Sequence, residues 1–301
     1  MSDLPDLLNF IDGSFVESQC GHWIDDLSPA TGQTIARAAC SDSSDVDAAV
    51  EAASQALPAW AALSIPERAD WLDRIAASLE ERAEEIAQLE SLDTGKPITL
   101  ARTVDAARSI ANFHFFAEQG RDFVAETFEM ADATNTVVYK PVGVAGLITP
   151  WNLPMYLLTW KVAPALLMGN TIVAKPSELT PMTASLLAEV LQDVGLPAGV
   201  FNLVHGTGTH AGAALTAHPE VDLISFTGGT ETGRLVAASA SSGFKKLSLE
   251  LGGKNATIIR HDAPVASIVE DVRRASFMNQ GQVCLCGSRI LIHESIYDEF
   301  V

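Results

Sequence analysis

Short alternations of apolar and polar residues fill the chain between residues 9 and 40. Alternation with a period of two is typical of strands with one buried face, because successive side chains point to opposite faces. Asp12-Gly13 and Thr31-Gly32 interrupt the pattern, and both dipeptides favour tight turns. This segment is therefore predicted to form short antiparallel strands.

Helical periodicity replaces the alternation between about residues 44 and 120. Ser44 or Asp45 is predicted to cap a first helix, and Pro66 suits the first turn of a second. The second helix has an apolar stripe and is predicted to end near Gly95. A less regular third helix follows, and strand-like residues then suggest a protruding arm.

From Val142 onward, apolar β-branched runs alternate with helical segments, one of which begins at Thr180-Pro181 and closes at Gly195. Strands that alternate with helices predict right-handed crossovers and a parallel sheet covered on both faces. The fold class is therefore α/β, with a five-stranded open parallel sheet of the dinucleotide-binding type. The five predicted strands are residues 144–149, 171–174, 200–204, 221–226 and 246–251.

The pattern changes after Gly252-Gly253. Residues 256–259 are predicted to form a strand, residues 264–281 a helix and residues 289–293 another strand, with a further helix from Glu294. This order of elements indicates the beginning of a second α/β domain.

Composition excludes several classes of function. The chain has 38 acidic and 19 basic residues and a formal charge of −19, which disfavours binding to nucleic acid or an anionic membrane. Prolines and Lys161 interrupt the most apolar region, residues 142–174, so no membrane span is expected. Four scattered cysteines and an acidic N-terminus without an export signal indicate a reducing, cytoplasmic location.

Cys284 lies in the stretch FMNQGQVCLC, residues 277–286, among Asn279, Gly281 and Gln282. Small and amide residues let a substrate and backbone donors approach a thiol, so Cys284 is a candidate nucleophile. The alternative is a buried cysteine that acts as a small hydrophobic residue. The spacing of Cys284 and Cys286 is too tight for an ordinary zinc pair, and no metal is expected.

Five motifs occur along the chain: PWNLP (residues 150–154), AKPSE (174–178), FTGGTETG (226–233), LELGGKN (249–255) and GQVC (281–284). Their order and spacing resemble those of the aldehyde dehydrogenase superfamily, and the resemblance covers essentially the whole chain. Within that family the sequence is most similar to 2-aminomuconate and 2-hydroxymuconate semialdehyde dehydrogenases, and betaine-aldehyde and retinal dehydrogenases are similar in the same regions.

The resemblance implies NAD-dependent oxidation of an aldehyde to a carboxylate. Cys284 matches the family nucleophile, which forms a thiohemiacetal and then a thioester. Asn152 matches a donor to the oxyanion, although alone it reads equally well as a turn residue. Glu250 matches the general base that activates water, and we expect it to be buried at the end of its strand, since burial raises a carboxyl pKa. Its alternative is pairing with Lys245, Lys246 or Lys254.

The resemblance also implies an NAD site. The Gly-rich stretches GTGTHAG and FTGGTETG each follow a predicted strand and open a helix, where backbone amides favour a pyrophosphate. Lys175 and Glu178 match the pair that holds the adenosine ribose, and a carboxylate there favours NAD over NADP. The cofactor-binding candidates are Ile148, Thr149, Trp151, Lys175, Glu178, Gly206, Gly208, Gly212, Phe226, Thr227, Gly228, Gly229, Thr230, Gly233 and Leu251.

Substrate candidates follow from the muconate-type resemblance. Arg108 matches an arginine for the substrate carboxylate, with a solvated helix-face charge as the alternative. Tyr156 and Trp160 are interpreted as core residues, with a cation-binding tunnel as the alternative. Cys286 is interpreted as a neighbour that shapes the pocket or protects Cys284 through a reversible disulfide.

The family pattern implies a division of the chain. Residues 1–122 and 142–251 would form the NAD-binding domain, residues 123–141 an oligomerisation arm and residues 252–301 the start of a catalytic domain. Family members are longer, so we expect the chain to be truncated at its C-terminus, and full-length protein to form a homodimer or homotetramer. The alternatives are an inactive fragment, an NAD-binding module, or a CoA-acylating enzyme, which Glu250 disfavours.

Overall fold

A computed structural model describes residues 4–301 as a central mixed sheet with helices on both faces. Short strands precede and follow the central sheet. The strands are β1 (Asp6–Leu7), β2 (Asn9–Ile11), β3 (Ser14–Val16), β4 (Trp23–Leu27), β5 (Thr34–Ala39), β6 (Thr127–Glu129), β7 (Thr134–Thr136), β8 (Val144–Ile148), β9 (Thr171–Lys175), β10 (Phe201–Leu203), β11 (Leu223–Gly228), β12 (Lys246–Leu251), β13 (Ala256–Ile259) and β14 (Arg289–Ile292).

Most helices lie between successive strands of the central sheet or before its first parallel strand. Single helical turns also occur at Ala101–Ala106, Gly208–Gly212, Met278–Gly281 and Glu294–Ile296. The helices are α1 (Ser43–Ala62), α2 (Ile65–Glu81), α3 (Ala83–Thr94), α4 (Ile98–Leu100), α5 (Ala107–Arg121), α6 (Pro154–Leu167), α7 (Met182–Asp193), α8 (Ala213–Ala217), α9 (Thr230–Ser241), α10 (Val265–Phe277) and α11 (Tyr297–Phe300).

The central sheet has the strand order β12-β11-β8-β9-β10-β2-β3. Its first five strands are parallel, as the alternation of strands and helices predicts. The hairpin β2-β3 extends the sheet with antiparallel pairing, through Leu203 opposite Phe10. Asp12 and Gly13 turn this hairpin with φ angles of 49° and 74°, a left-handed pair that the Asp-Gly dipeptide favours.

The order of the parallel strands reverses at β8. The chain runs from β8 to β9 and β10 on one side and then returns to β11 on the other side. In open α/β sheets, ligands bind at the carboxyl ends of the strands where the order reverses. The crevice between the ends of β8 and β11 is therefore the expected ligand site.

Burial separates the centre of the sheet from its edge. Every residue of β8 and β9 is buried, because helices cover both faces of these strands. In β12, at the edge of the sheet, the first three residues are exposed and no residue is fully buried. Helix α2 contributes Leu72, Ile75 and Leu79 to the main core, as its stripe predicts.

Three predicted helix ends are wrong. Asp42 caps α1 by accepting a hydrogen bond from the Ser44 N–H at 2.8 Å, and Asp45 completes the capping box from inside the helix. Pro181 is the cap of α7 and lies outside its first turn. The predicted long helix up to Gly95 is broken at Arg82 into α2 and α3, although Gly95 does close α3 in the left-handed conformation.

The segments outside the central sheet are more exposed. The predicted arm forms the hairpin β6-β7, whose residues are all exposed. The two strands predicted after Gly253 pair in parallel as β13-β14, and α10 lies between them in the chain. Within residues 4–301, no helix is both long enough and apolar enough to cross a membrane.

Candidate active site

The loop after β8 carries Asn152 to the segment that contains Cys284. Strand β8 ends at Ile148, and α6 begins at Pro154, so the loop between them lies at the carboxyl edge of the sheet. The Asn152 side chain donates from Nδ2 to the backbone oxygen of Gln282 at 2.7 Å. The structure therefore brings Asn152 into contact with a residue two positions before the nucleophile candidate, although 130 positions separate Asn152 from Gln282.

A left-handed turn presents Cys284. Asn279 and Gln280 have φ angles of 52° and 56° directly after α10, and the Gln282 N–H donates to the Asn279 oxygen at 2.9 Å. Asn255 donates from Nδ2 to the Cys284 backbone oxygen at 2.7 Å, so the backbone at the cysteine is held. The Cys284 residue is exposed, and the alternative of a buried hydrophobic cysteine is wrong for it.

Cys286 has the opposite environment. It is buried, and its thiol lies 3.9 Å from the Met278 oxygen, beneath the turn. Its role in shaping this segment or in protecting Cys284 remains a prediction. Because the Cys286 thiol is buried, Cys284 carries the accessible sulfur of the pair.

Glu250 is exposed near the end of β12, so the expected burial is wrong. Glu250 shares one face of β12 with Lys246 and Ser248, and all three residues are exposed. None of the predicted lysine partners forms an ion pair with Glu250 among the described residues. The nearby cation is instead Lys161 on α6, which donates to the Ser225 hydroxyl at 2.7 Å.

Lys161 is a functional candidate that sequence reasoning missed. It is buried, and burial lowers the pKa of its amine to about 8, while the Glu250 carboxylate opposes part of this shift. An amine with a shifted pKa beside a candidate base is typical of a functional site. The signal in the sequence is a single lysine within the apolar helix PMYLLTWKVAPALL.

All of the cofactor-binding candidates lie at the carboxyl ends of the five parallel strands. Ile148, Thr149 and Trp151 are in or after β8, and Lys175 and Glu178 are at or after β9. The others follow β10 (Gly206, Gly208, Gly212), span the end of β11 and the start of α9 (Phe226, Thr227, Gly228, Gly229, Thr230, Gly233) or end β12 (Leu251).

Lys175 and Glu178 form a partly buried ion pair. Their side chains are 4% and 33% exposed, and Lys175 Nζ lies 2.9 Å from Glu178 Oε2. Partial burial raises the pKa of Glu178, but the Lys175 ammonium and hydrogen bonds outweigh it, so that the pKa is lowered. The Gly208 N–H also donates to Glu178 at 3.4 Å, so the carboxylate links the ends of β9 and β10.

The glycines of the FTGGTETG motif have different surroundings. A Cβ atom at Gly233 would lie 2.6 Å from Leu251, so this glycine lets α9 pack closely on β12. Gly229 caps α9 and has open space where a Cβ would stand. Close packing therefore explains Gly233, whereas Gly229 leaves the N-terminus of α9 open to an anion.

A sequence profile described as the aldehyde dehydrogenase family matches residues 15–301. The chain belongs to the aldehyde dehydrogenase family. This membership confirms the resemblance carried by the five motifs. It also agrees with the fold, in which those motifs meet at one edge of the sheet.

Individual family members resemble the chain closely. The 2-aminomuconic semialdehyde dehydrogenase of Mus musculus is 49% identical over 297 residues, which cover 98% of this chain and 61% of the mouse protein. The 2-hydroxymuconic semialdehyde dehydrogenase of Pseudomonas sp. strain CF600 is 47% identical, with 99% and 63% covered. An aldehyde dehydrogenase of Bacillus cereus, solved as an NAD+ complex, matches with a TM-score of 0.95 at 36% identity, over 98% of this chain and 61% of that one. The chain thus spans about three fifths of the length of these relatives.

In this aldehyde dehydrogenase chain, Arg108 lies on α5 beside α6. Its guanidinium carbon is 5.7 Å from the centre of the Tyr156 ring, and the residue is exposed. Tyr156 and Phe116 each pack against Trp160, with ring centres 6.4 and 5.6 Å away. Trp160 is 46% exposed, so its interpretation as a core residue is wrong. Helix α6 instead presents an aromatic surface with a guanidinium at its border.

Proposed function

We propose that the protein carrying this chain oxidises an aldehyde to the carboxylic acid, with NAD as cofactor, through a thioester on Cys284. One observation carries the proposal: Asn152 reaches across from the β8 loop and binds the Gln282 oxygen at 2.7 Å, beside an exposed thiol. An oxyanion donor and a nucleophile at one edge of a dinucleotide-binding sheet suit this chemistry.

The residues at the sheet edge fit NAD. The N-terminus of α9 is open at Gly229, and the Thr149 hydroxyl is buried without a hydrogen-bond partner in the described structure. Lys175 and Glu178 would hold the adenosine ribose, and the charge of Glu178 would repel a 2′-phosphate. NAD, when bound, supplies the hydride acceptor for the oxidation.

Asn152 and Cys284 would carry the first step. The Cys284 thiolate attacks the aldehyde carbon and forms a C–S bond, and the carbonyl oxygen takes up the displaced electron pair. A side-chain amide has two N–H groups, and only one of those of Asn152 is directed to the Gln282 oxygen. The other, with the backbone N–H of Cys284, would stabilise the oxyanion.

Glu250 would carry the final step. Its exposed carboxylate can accept a proton from water as that water attacks the thioester carbon and releases the Cys284 thiolate. The Glu250 carboxylate lies close enough to the buried Lys161 amine to favour the charged form of that amine.

A carboxylate-bearing semialdehyde is the proposed substrate class. Two of the relatives named above, those of Mus musculus and Pseudomonas, are named for muconic semialdehydes. Arg108 is exposed and forms no ion pair with any other residue between 4 and 301, so its guanidinium has no internal carboxylate to neutralise it. An unpaired arginine over an aromatic ring is suited to an anionic substrate.

The test is NADH formation by the natural full-length protein with paired substrates. We expect a semialdehyde that carries a carboxylate to be oxidised with a lower KM than an uncharged aldehyde of similar length. Arg108→Ala should raise KM about tenfold for the charged substrate, which corresponds to ~1.4 kcal/mol, and leave KM for the uncharged one nearly unchanged. Arg102→Ala is the matched control, because Arg102 is exposed on the same segment and pairs with Glu84.

Two results would contradict parts of this proposal. Equal changes in KM for both substrates would remove Arg108 from substrate recognition. Tight NAD binding without NADH formation from any aldehyde would mean that the protein is a nucleotide-binding module without this activity.

A further inference from the structure

The backbone oxygen of Asn152 is held by two side chains from other parts of the chain. Lys96 donates to it from Nζ at 3.1 Å, and Asn279 donates from Nδ2 at 2.9 Å. Asn279 belongs to the turn that presents Cys284, whereas Lys96 follows α3. The proposed oxyanion donor is therefore fixed through its main chain as well as through its side-chain amide.

Lys96 is part of a buried ionic cluster. Its ammonium group lies 2.8 Å from Asp105 Oδ1 and 3.7 Å from Glu90 Oε2. The three side chains are each at most 1% exposed. Burial and the Asp105 carboxylate raise the pKa of Glu90 to about 7, and Lys96 opposes that rise.

Glu90 holds the other side of the same loop. Its Oε1 atom accepts from the Met155 N–H at 2.7 Å and from the Thr183 hydroxyl at 3.0 Å. Met155 lies three positions after Asn152, in the first turn of α6. The cluster therefore binds this segment at two points, the Asn152 carbonyl before α6 and the Met155 N–H in the first turn of α6.

Fold stability alone does not explain three ionisable groups in this place. Replacing a buried ion pair with apolar side chains of similar volume is often neutral or stabilising, because the charges lose their hydration. A directional contact is what an apolar core cannot provide. Oxyanion donors must lie within about 2.7–3.1 Å of the developing charge, and a displacement of ~1 Å can cost about a hundredfold in rate.

We propose that Lys96, oriented by Asp105 and Glu90, is a positioning residue that fixes the main chain at Asn152 and so aims the oxyanion donor at the substrate. This inference rests on the proposed aldehyde oxidation. Lys96 touches neither substrate nor cofactor and acts through Asn152. Its loss should therefore lower kcat while NAD binding is retained.

A double-mutant cycle in the natural full-length protein tests the proposal. We expect Lys96→Met to lower kcat about 10- to 100-fold and to leave the NAD dissociation constant unchanged. Asn152→Ala should lower kcat about 10²- to 10³-fold. The double variant should be no slower than Asn152→Ala alone, because a residue that acts only through Asn152 has no effect once the amide is gone.

A second variant covers the case in which Lys96→Met leaves Glu90 and Asp105 uncompensated and the protein does not fold. Asp105→Asn keeps the shape and the amine but weakens the orientation of Lys96. It should lower kcat less than Lys96→Met and show the same lack of effect in the Asn152→Ala background. Independent, multiplicative losses in either cycle would overturn the proposal.

The rate of Cys284 alkylation by iodoacetamide provides a readout that does not depend on turnover. We expect it to be equal in wild type, Lys96→Met and Asp105→Asn, because the inferred effect is on the oxyanion donor. A fall in alkylation parallel to the fall in kcat would mean that Lys96 acts on the cysteine loop, and would overturn the proposal. Wild-type protein that forms no NADH would overturn the proposed function itself, and this inference with it.

Discussion

The carboxyl edge of the sheet and the segment that carries Cys284 are organised by different forces. At the carboxyl edge, the preceding strands β8 and β9 are completely buried, and packing fixes the strand ends that face the proposed cofactor site. The cysteine segment is largely exposed and is held by hydrogen bonds from Asn152, Asn255 and Asn279. Burial thus orders the proposed cofactor site, whereas a few directional bonds order the proposed reaction site. Substitutions in the two regions should have different consequences.

Asn152→Ala is expected to show the largest difference between the two regions, with a large loss of kcat and little change in NAD binding. It removes the bond to Gln282 and the proposed oxyanion donor together, so kcat should fall about 10²- to 10³-fold. The NAD dissociation constant and the unfolding midpoint in urea should change little. Steady-state kinetics and a fluorescence titration with NAD would measure these values, with Asn135→Ala on the exposed hairpin as control. A loss of NAD binding equal to the loss of kcat would break the distinction between the regions.

Glu178→Gln tests the proposed cofactor site at the carboxyl edge of the sheet. The variant keeps the size of the side chain but removes the charge that would repel a 2′-phosphate. We expect the preference for NAD over NADP, measured as a ratio of kcat/KM values, to fall about tenfold, equivalent to ~1.4 kcal/mol. Glu189→Gln is the control, since Glu189 is exposed on α7 and pairs with Arg82. An unchanged ratio would show that Glu178 holds only Lys175 and Gly208.

His205→Gln tests how burial at the carboxyl edge of the sheet makes folding stability depend on pH. His205 is buried next to β10, and burial followed by the charge of Lys175 lowers its pKa from 6.5 to about 3. Between these values the unfolded chain binds a proton that the folded protein excludes, so stability is lost as pH falls below 6.5. The contribution between pH 6.5 and 5 is about 2 kcal/mol.

Urea titrations at pH 6.5 and pH 5 would measure this contribution. The unfolding free energy of His205→Gln should fall by about 2 kcal/mol less than that of wild type over this interval. Glutamine can keep a hydrogen bond to Ser185, which lies 3.0 Å from the imidazole. His261→Gln, beside the exposed β13-β14 pair, should behave like wild type. Equal losses in wild type and His205→Gln would contradict the role of burial at this edge.

The sequence predicted the sheet better than it predicted the site. The runs that form β8 and β9 are recognisable because parallel strands covered on both faces are mostly apolar, and the order of the five motifs identified the family. The exposure of Glu250 was missed although the sequence of β12, KLSLEL, alternates and places Glu250 on one face with Lys246 and Ser248. Trp160 was missed for another reason: its helix is apolar on most sides, so the sequence does not show which side meets solvent.

Contacts between distant segments were also beyond the sequence. Nothing in the local pattern places Asn152 against Gln282, or Lys96 against Asn152. Each contact depends on how two distant segments pack together. The apolar surroundings of Lys161 were visible, but its proximity to Glu250 depends on the pairing of strands β11 and β12. Motifs indicated which residues matter, and packing determined how they are held.

The covalent step at Cys284 is the centre of the proposed function, and rapid-quench mass spectrometry of the natural full-length protein tests it most directly. After mixing with NAD and an aldehyde, the peptide that contains Cys284 should gain the mass of the acyl group, with one NADH formed per adduct. Cys284→Ala should form neither, while it still binds NAD. NADH formation by Cys284→Ala at the wild-type rate, or an adduct on Cys286 alone, would contradict the proposed chemistry.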